Sequence, residues 1–489
     1  MPVATYTFGD FRPDLPDIGT KGVTLAKNVV PNESSYLPFK GMSIDSTALT
    51  AYARGAIALS DKEGNTEMYC GDATKLYRLV NSSGTLTWTS VGGSTYSTGD
   101  ENYWQFIKWG EKVIATNRDN NIQIANFGGG TFGDLGGSPP KAKQIAVVRG
   151  FIVLGDIDSG TEYVSRLQWS GLENETSWGT IPTTQSDFQD LVGDGGKIMA
   201  IAGGDIGVVF QERSIWEMEY VGTPLVFRIK ETSVGMGTAA SKSVIRYGNS
   251  VFFLSQDGFM RYDIGGGLTP IGDKRIDQWF FERANTLKYH RITGIIDVPN
   301  AKAMWSYCNG DGDPDEILIY DWKTNNWSYA EVSHEMIFGG RGVGYTLDGL
   351  DAVSTSLDAL PASLDADIWK GGQLAAYVFN TEHKSGTFGG AALTARLETG
   401  EIMGEDMDML FLDRVRPLVE GATATNTVFM ATRNTLNTDF TYGSGVTQNT
   451  IGEHNFRVPA RYIRLRLDIA NGFEKAVGVR ANIKSGGIR

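Results

Sequence analysis

The stretch from Gly193 to Asp263 decides the fold that the sequence predicts. It consists of short runs rich in Val, Ile and Phe, separated by Gly, Asn, Asp and Ser: GGKIMAIAGGD (195–205), IGVVFQERSIWEMEYVG (206–222), PLVFRIKETSVG (224–235) and SVIRYGNSVFFLSQDGFMRYD (243–263). Such runs and breaks are typical of antiparallel strands joined by tight turns. Trp216, Met218 and Tyr220 share one face of a strand, and Asp257-Gly258 suits a hairpin turn. The stretch therefore predicts one blade of a β-propeller.

The same rhythm recurs along most of the chain. The recurring unit is an apolar strand, a Gly/Asn/Asp turn and a second strand, and it begins at Met68, Val113, Phe151, Gly207, Val251 and Ala303. The starts are separated by roughly 40 to 55 residues, the period of four-stranded propeller blades. We therefore predict an all-β chain with a propeller of about six blades over residues 46–338. A seventh blade could be assembled from the two ends of this region.

The first 45 residues have a different character. They contain Pro13, Pro16, Pro31 and Pro38, and proline removes hydrogen-bond donors from a sheet and favours extended backbone before it. Residues 1–45 are therefore predicted to form an extended N-terminal arm, which lies over other elements or closes the ring from outside. A loose terminus is the alternative.

A second β region follows the propeller. Residues 339–370 contain three Ser/Thr-Leu-Asp triplets, at 346–348, 356–358 and 363–365, each suited to a local turn, and are predicted to be a connector. In the last long run, alternate residues Ile463, Leu465 and Leu467 share one face and the intervening arginines the other. This alternation indicates a sheet with one buried face, so residues 371–489 are predicted to form a C-terminal β-sandwich.

Composition excludes several classes of protein. The chain has 489 residues, a formal net charge of −13 and two cysteines, Cys70 and Cys308. The acidic charge argues against a protein that grips nucleic acid, although DNA could pass an acidic wall without being held. Two distant cysteines do not make a disulfide framework, so buried free thiols are expected. With neither a signal peptide nor a long apolar run, we expect no membrane insertion and synthesis in a reducing cytoplasm.

Few residues indicate a chemical site. The four histidines and two cysteines show no metal-ligand spacing, and the glycine-rich segments complete no phosphate-binding loop. The only metal candidate is a weak calcium site at Asp311, Asp313 and Asp315, where Glu316 occupies the place at which an EF-hand needs glycine. A hairpin turn is the simpler interpretation. We expect no catalytic residues and no cofactor.

Several stretches together resemble one protein family. These are KNVVPNESSYLPFKG (27–41), RLQWSGLENETSWG (166–179), GGKIMAIAGGDIGVVFQERSIWEMEYVG (195–222), SVFFLSQDGFMRYD (250–263), MWSY (304–307) with ILIYDWKTNNWSY (317–329), and TLD (346–348) with LDALPASLDADIW (357–369). They resemble the tail nozzle proteins of short-tailed bacteriophages, also called packaged-DNA stabilisation proteins. The similarity extends over nearly the whole chain but includes no short diagnostic motif.

The resemblance implies a structural protein of the virion tail, made in the host cytoplasm. It implies a homo-hexameric ring below the portal and a tail adaptor protein, with further contacts to tail fibre or spike proteins and to a needle or plug. Double-stranded DNA would pass through the lumen without specific binding and be retained until ejection. Two other classes stay open: a propeller that degrades or binds glycans, which needs convergent carboxylates, and a monomeric cytoplasmic propeller scaffold.

Overall fold

A computed structural model describes residues 3–18, 21–82, 85–341, 356, 374–404 and 408–485. Almost all of the predicted connector, 339–370, with its Ser/Thr-Leu-Asp triplets, lies outside the described residues. Within them the chain is built almost entirely of β-strands.

The strands and helices have the following bounds. The N-terminal strands are β1 (Val3–Thr7), β2 (Val23–Lys27), β3 (Val29–Asn32), β4 (Ser35–Pro38) and β5 (Ser43–Ala48). Six groups of four follow: β6 (Ala56–Ser60), β7 (Thr66–Gly71), β8 (Leu76–Ser82), β9 (Thr85–Ser90); β10 (Gln105–Trp109), β11 (Lys112–Thr116), β12 (Gln123–Asn126), β13 (Gly133–Asp134); β14 (Lys141–Val148), β15 (Phe151–Asp158), β16 (Glu162–Trp169), β17 (Asp187–Asp190); β18 (Ile198–Ala202), β19 (Ile206–Gln211), β20 (Ser214–Gly222), β21 (Val226–Val234); β22 (Ile245–Tyr247), β23 (Ser250–Leu254), β24 (Phe259–Asp263), β25 (Gly267–Pro270); β26 (Thr293–Asp297), β27 (Lys302–Tyr307), β28 (Glu316–Asp321), β29 (Asn326–Glu331). The remaining strands are β30 (Met336–Arg341), β31 (Leu374–Phe379), β32 (Lys384–Thr387), β33 (Ala395–Thr399), β34 (Ile402–Met403), β35 (Leu410–Glu420), β36 (Thr425–Arg433), β37 (Thr441–Tyr442), β38 (Val446–Thr447), β39 (His454–Ala460), β40 (Tyr462–Ala470) and β41 (Lys475–Ser485). One α-helix, α1 (Asp277–Arg283), and two 3-10 segments, Ser241–Ser243 and Thr286–Arg291, lie around β22–β26.

The strands form a β-propeller, as the sequence predicted. Blades 1 to 6 are the consecutive antiparallel groups β6–β9, β10–β13, β14–β17, β18–β21, β22–β25 and β26–β29. Blade 7 consists of β30, β31, β32 and β5, in that order from the centre outward. Strand β30 lies between β26 and β6, which closes the ring. The all-β fold class is therefore confirmed, and the described residues contain seven blades rather than six.

Each junction between neighbouring blades has its own hydrophobic core. Seven clusters of buried side chains lie between blades 1 and 2, 2 and 3, 3 and 4, 4 and 5, 5 and 6, 6 and 7, and 7 and 1. Burial of this apolar surface drives each pair of blades together. The buried rings of Trp104 and Trp327 contribute to these cores. Both cysteines are buried and free, as expected.

Blade 7 differs from the predicted domain boundaries. Its outermost strand, β5, comes from the N-terminal side of the propeller, whereas β31 and β32 lie in the range predicted to be C-terminal sandwich, 371–489. The hairpin β31–β32 pairs with β30 because its apolar residues, including Phe379, complete the core between blades 7 and 1. The chain ends are thus interleaved in one blade.

The two terminal regions also build the β-sandwich together. One of its sheets has the order β3-β4-β41-β35-β39, with β1 on β41, and the other has the order β2-β33-β40-β36-β37, with β34 and β38 beside it. Residues 1–45, predicted to be an arm, supply strands to both sheets. The predicted alternation in β40 is confirmed, because Ile463, Leu465 and Leu467 are buried between the sheets.

The second sandwich sheet is continuous with blade 6. Strand β2 pairs with β29 in parallel at Lys27 and Tyr329 and with β33 on its other side. One hydrophobic core accordingly runs from Trp305 and Trp327 of blade 6 to Leu465 of the sandwich. The propeller and the sandwich therefore share a sheet and a core.

Asn28 turns the chain from one sandwich sheet to the other. Its φ is 57°, a conformation that Asn tolerates better than most residues. Its N–H donates to the Tyr329 carbonyl at 2.7 Å, its amide donates to the Thr394 carbonyl at 3.0 Å, and its side-chain oxygen accepts the Glu331 N–H at 2.9 Å. One residue thus ties β2–β3 to blade 6 and to the segment before β33.

We predict that Asn28→Ala lowers the free energy of unfolding by about 2–4 kcal/mol. The change adds left-handed strain of about 1 kcal/mol and removes two buried side-chain hydrogen bonds worth about 1 kcal/mol each. Chemical denaturation of the full chain measures the loss. The matched control is Asn471→Ala, at an exposed position with φ 65°, which should cost about half as much. Equal losses at the two positions would contradict the role assigned to Asn28.

Ring closure depends on Glu335, which precedes β30. Its buried carboxylate accepts the N–H of Ala53, at the entrance to blade 1, at 2.9 Å, and also bonds His383 between β31 and β32. We predict that Glu335→Ala lowers the free energy of unfolding by about 1–3 kcal/mol, because the buried Ala53 N–H is left without its partner. Glu335→Gln keeps an acceptor and should lose less. Denaturation curves of the two variants that coincide with that of the wild type would contradict this prediction.

Candidate functional site

The residues proposed for calcium do not converge. Asp311, Asp313 and Asp315 lie in the turn between β27 and β28. Asp311 accepts from the Asn285 amide at 3.0 Å, Asp313 lies 3.4 Å from Arg291, and Asp315 accepts a backbone N–H of the same turn at 2.8 Å. Within the described parts of the chain, no group of three or more His, Cys, Asp or Glu residues is arranged to hold a metal ion. The hairpin turn is the interpretation that the geometry supports.

The propeller encloses a central channel of about 320 Å³. Its wall is formed by the inner strands of several blades and is mixed in polarity, with contributions from Ala56-Ile57, Trp104–Phe106, Ile145, Thr293-Gly294 and Met336–Gly339. These residues face the axis because the first strand of each blade lies nearest the centre of the ring. Lys242 contributes a charged group to the same wall.

A smaller space of about 100 Å³ opens beside the channel. It is lined by polar side chains, among them Lys143, Gln144, Asp156, Lys197 and His290. Tyr103 lines both spaces. We call this region, from Lys242 across Tyr103 to Lys143 and Lys197, the channel mouth.

Two ammonium groups lie against the ring of Tyr103. Nζ of Lys242 is 4.8 Å from the ring centroid and Nζ of Lys143 is 5.7 Å from it. Cation–π contacts of this kind stabilise a cation that has lost part of its water. The phenol is held in place by Gln144, whose amide donates to the Tyr103 hydroxyl at 3.0 Å, and burial raises its pKa to about 12.

Lys242 is in an unfavourable place for a positive charge. Burial, reinforced by the nearby cations Arg291, Lys143 and Arg54, lowers the pKa of its ammonium to about 7. Burial likewise lowers the pKa of Lys143, which the carboxylate of Asp156 partly offsets. The channel mouth is therefore a cluster of cations, with Lys242 and Lys143 partly buried and Lys197 exposed, in a chain whose overall charge is −13.

Asp156 is the acidic residue on the wall of the smaller space. It is buried, and burial raises the pKa of its carboxyl, although the cations Arg118, Lys143 and Lys197 act in the opposite direction. Its Oδ1 lies 3.6 Å from Arg118, and no hydrogen-bond partner for this atom is present among the described residues. Asp156 thus interacts with Arg118 and does not neutralise Lys242.

Sequence reasoning did not find the channel mouth. Lys242 stands in the short segment SKS before β22, and Lys143 alternates with apolar residues in β14. Neither position belongs to a motif. The one sequence feature that could have indicated the site was a lysine near the start of a predicted inner strand. This feature points to the channel only when the positions of the blades around the axis are known.

Among the helices in the described ranges, none has the length and apolar character that crossing a bilayer requires.

Comparisons with known proteins return no family and only distant structural similarities. No family model matches the chain, and no curated protein matches it. Among solved structures, it is similar to the extracellular domain of BT4673 from B. thetaiotaomicron, at 9% identity with a TM-score of 0.39, over 85% of this chain and 46% of that one. It is also similar to the C-terminal WD40 domain of Sif2, at 9% identity with a TM-score of 0.35, over 71% of this chain and 98% of that one. The N-terminal domain of Nup159 matches at 10% identity with a TM-score of 0.38, over 74% of this chain and 97% of that one. This chain thus spans less than half the length of the first of these structures, and at such identities the matches say nothing about function.

We predict that Lys242→Met stabilises the protein at low pH. With a pKa of about 7 in the folded state and about 10.4 in the unfolded state, the unfolded chain binds more protons between these values. The Lys242 contribution to stability therefore rises with pH across this window, and below pH 7 the folded state carries the full cost of the buried charge. The variant should gain about 1–3 kcal/mol at about pH 6 and lose this advantage as the pH approaches 10. Urea unfolding across the pH range measures it, and an advantage that is constant with pH would contradict the assignment.

Proposed function

We propose that this chain is the tail nozzle subunit of a short-tailed bacteriophage. In this role six copies form a ring that extends the ejection channel below the portal and adaptor and retains the packaged DNA. The observation that carries the proposal is the sheet shared by blade 6 and the sandwich, together with their common core. A subunit that holds DNA under pressure must not hinge between its parts, and a continuous sheet with one core resists such bending because opening it would expose buried apolar surface.

The segment that carries much of the resemblance, 166–179, has a structural role that suits such a subunit. It forms the end of β16 and the loop after it, where Glu175 bonds Lys112 and the Trp109 indole of blade 2. The Trp169 indole donates to the Gln185 carbonyl at 2.9 Å. The loop therefore fastens blade 3 to blade 2.

The DNA path in this proposal lies between subunits. Aromatic side chains such as Trp104 and Phe106 line the propeller channel. Its volume of about 320 Å³ admits small molecules only. A duplex therefore requires a lumen formed by several copies around a common axis. The acidic net charge of −13 supports passage without adhesion, because 57 acidic residues outnumber the 44 lysines and arginines that could pair with phosphates.

An exposed apolar patch supports contacts between copies. Val192 follows the outer strand of blade 3, and Val221 and Leu225 lie at the tip of the hairpin β20–β21 in blade 4. They are 84%, 44% and 62% exposed. Their neighbours Leu191 and Val226 belong to the core between these blades, so the patch is firmly anchored. We assign this patch to the contact with the next subunit, since exposed apolar clusters mark association surfaces.

Electron microscopy of the full-length protein, alone and mixed with virion extract, tests the proposal. We expect rings with six-fold symmetry and a central hole wide enough for duplex DNA. Leu225→Asp should abolish the rings because it places a charge in the contact. Leu287→Asp is the matched control, since Leu287 is 81% exposed elsewhere, and it should assemble normally.

Monomers only, in both samples, would refute the ring. Glycan-cleavage and glycan-binding screens would then test the alternative, a propeller that degrades or binds glycans. If the Leu225→Asp variant forms rings as well as the wild type, the nozzle proposal stands and the assignment of the apolar patch to the contact between subunits is refuted.

A further inference from the structure

Lys242 differs from the two arginines near it in having no counter-ion. Arg54 pairs with Asp100 at 2.6 Å, and Arg291 pairs with Asp313 at 3.4 Å. Within the described residues, Lys242 has neither a hydrogen bond nor an ion pair, and its recorded contact is with the face of the Tyr103 ring. A partly buried ammonium with three N–H donors finds no acceptor within the protein here, so the arrangement favours an acceptor from outside.

Lys143 presents a second ammonium to the same aromatic ring. Its Nζ donates to the Glu101 carbonyl at 3.1 Å, which occupies one of its three donors. Gln144, fully buried beside it, and Ser241 add polar groups to the wall of the smaller space. The two lysines, on blades 3 and 5, approach each other only because the blades converge on the axis.

We propose that the channel mouth binds a small multivalent anion, carrying phosphate or carboxylate groups, between Lys242 and Lys143. The anion supplies the acceptors that Lys242 lacks and offsets the repulsion between Lys242, Lys143 and the nearby arginines. Asp156 does not fill this role, because it is engaged with Arg118.

The dimensions of the site define the class of ligand. The two spaces measure about 100 Å³ and 320 Å³ and meet at Tyr103. They suit inorganic phosphate or a compact polycarboxylate such as citrate, and exclude duplex DNA. The site belongs to a single subunit, so the inference does not depend on the proposed nozzle function or on ring assembly.

Isothermal titration calorimetry of the full-length protein with inorganic phosphate and with citrate tests the proposal. Titrations in a low-salt zwitterionic buffer at about pH 6 compare the wild type with Lys242→Gln, Lys143→Gln and the control Lys230→Gln. Lys230 is exposed on β21, the outermost strand of blade 4, and its replacement makes the same change in net charge. Thermal melts without anion show that each variant is folded.

We expect saturable binding of at least one of the two anions by the wild type and by Lys230→Gln. Each channel-mouth variant should bind at least about tenfold more weakly, a loss of about 1.4 kcal/mol. The anion should also raise the melting temperature of the wild type but not that of Lys242→Gln, because only the folded state presents the site. In the absence of anion, Lys242→Gln should melt no lower than the wild type.

Two results would overturn the proposal. One is the lack of a saturable heat for either anion up to about 10 mM. The other is an affinity that is equal in all four proteins, which indicates general screening of surface charge.

Discussion

The structure depends on the pairing of β5 with β32, which closes the propeller ring. The Ser385 N–H donates to Ser46 Oγ at 2.8 Å across a sequence separation of 339 residues, and the register continues through Gly386 and Ile44. The pairing also anchors the core between blades 7 and 1, because the Trp88 indole of that core donates to Ser385 Oγ of β32 at 3.1 Å. The other inter-blade cores depend on it too, because each blade is held in the ring by its two neighbours, and only blade 6 is held by the sandwich as well. Closing the ring costs conformational entropy, but this cost arises only once for the whole molecule.

The same N-terminal segment serves two purposes. Strands β1–β4 complete the sandwich, and β5 completes the propeller. Asn28 makes this possible, because it lets consecutive strands enter different sheets while its own hydrogen bonds are satisfied. The union of propeller and sandwich is therefore not a linker between two folded units but a sheet and a core to which both contribute.

The channel mouth is a product of this closure. Strand β14, the segment before β10 and the 3-10 segment before β22 bring Lys143, Tyr103 and Lys242 together around one axis. The charge cluster is tolerated because the inter-blade cores stabilise the ring independently of it. The cations of the channel mouth lack a full set of counter-ions, although the net charge of the chain is −13. We assign an anionic ligand to the channel mouth because of this contrast.

The sequence by itself determined the local structure. Alternating apolar residues and turn residues have periods set by the backbone, so strands, hairpins, the blade rhythm from Met68 to Ala303 and the buried face of β40 were all readable. Tertiary structure decided the seventh blade, the shared sheet and the channel mouth. The seventh blade and the shared sheet depend on pairing between segments hundreds of residues apart, such as β5 with β32 or β2 with β29. The channel mouth depends on the arrangement of separate blades around one axis. The local pattern of apolar and polar residues does not identify such partners, because a strand has the same pattern whichever sheet edge it pairs with. The channel mouth was missed for the same reason. Nothing in the local sequence distinguishes Lys242 and Lys143 from other lysines, and only the arrangement of the blades places both beside the aromatic ring of Tyr103.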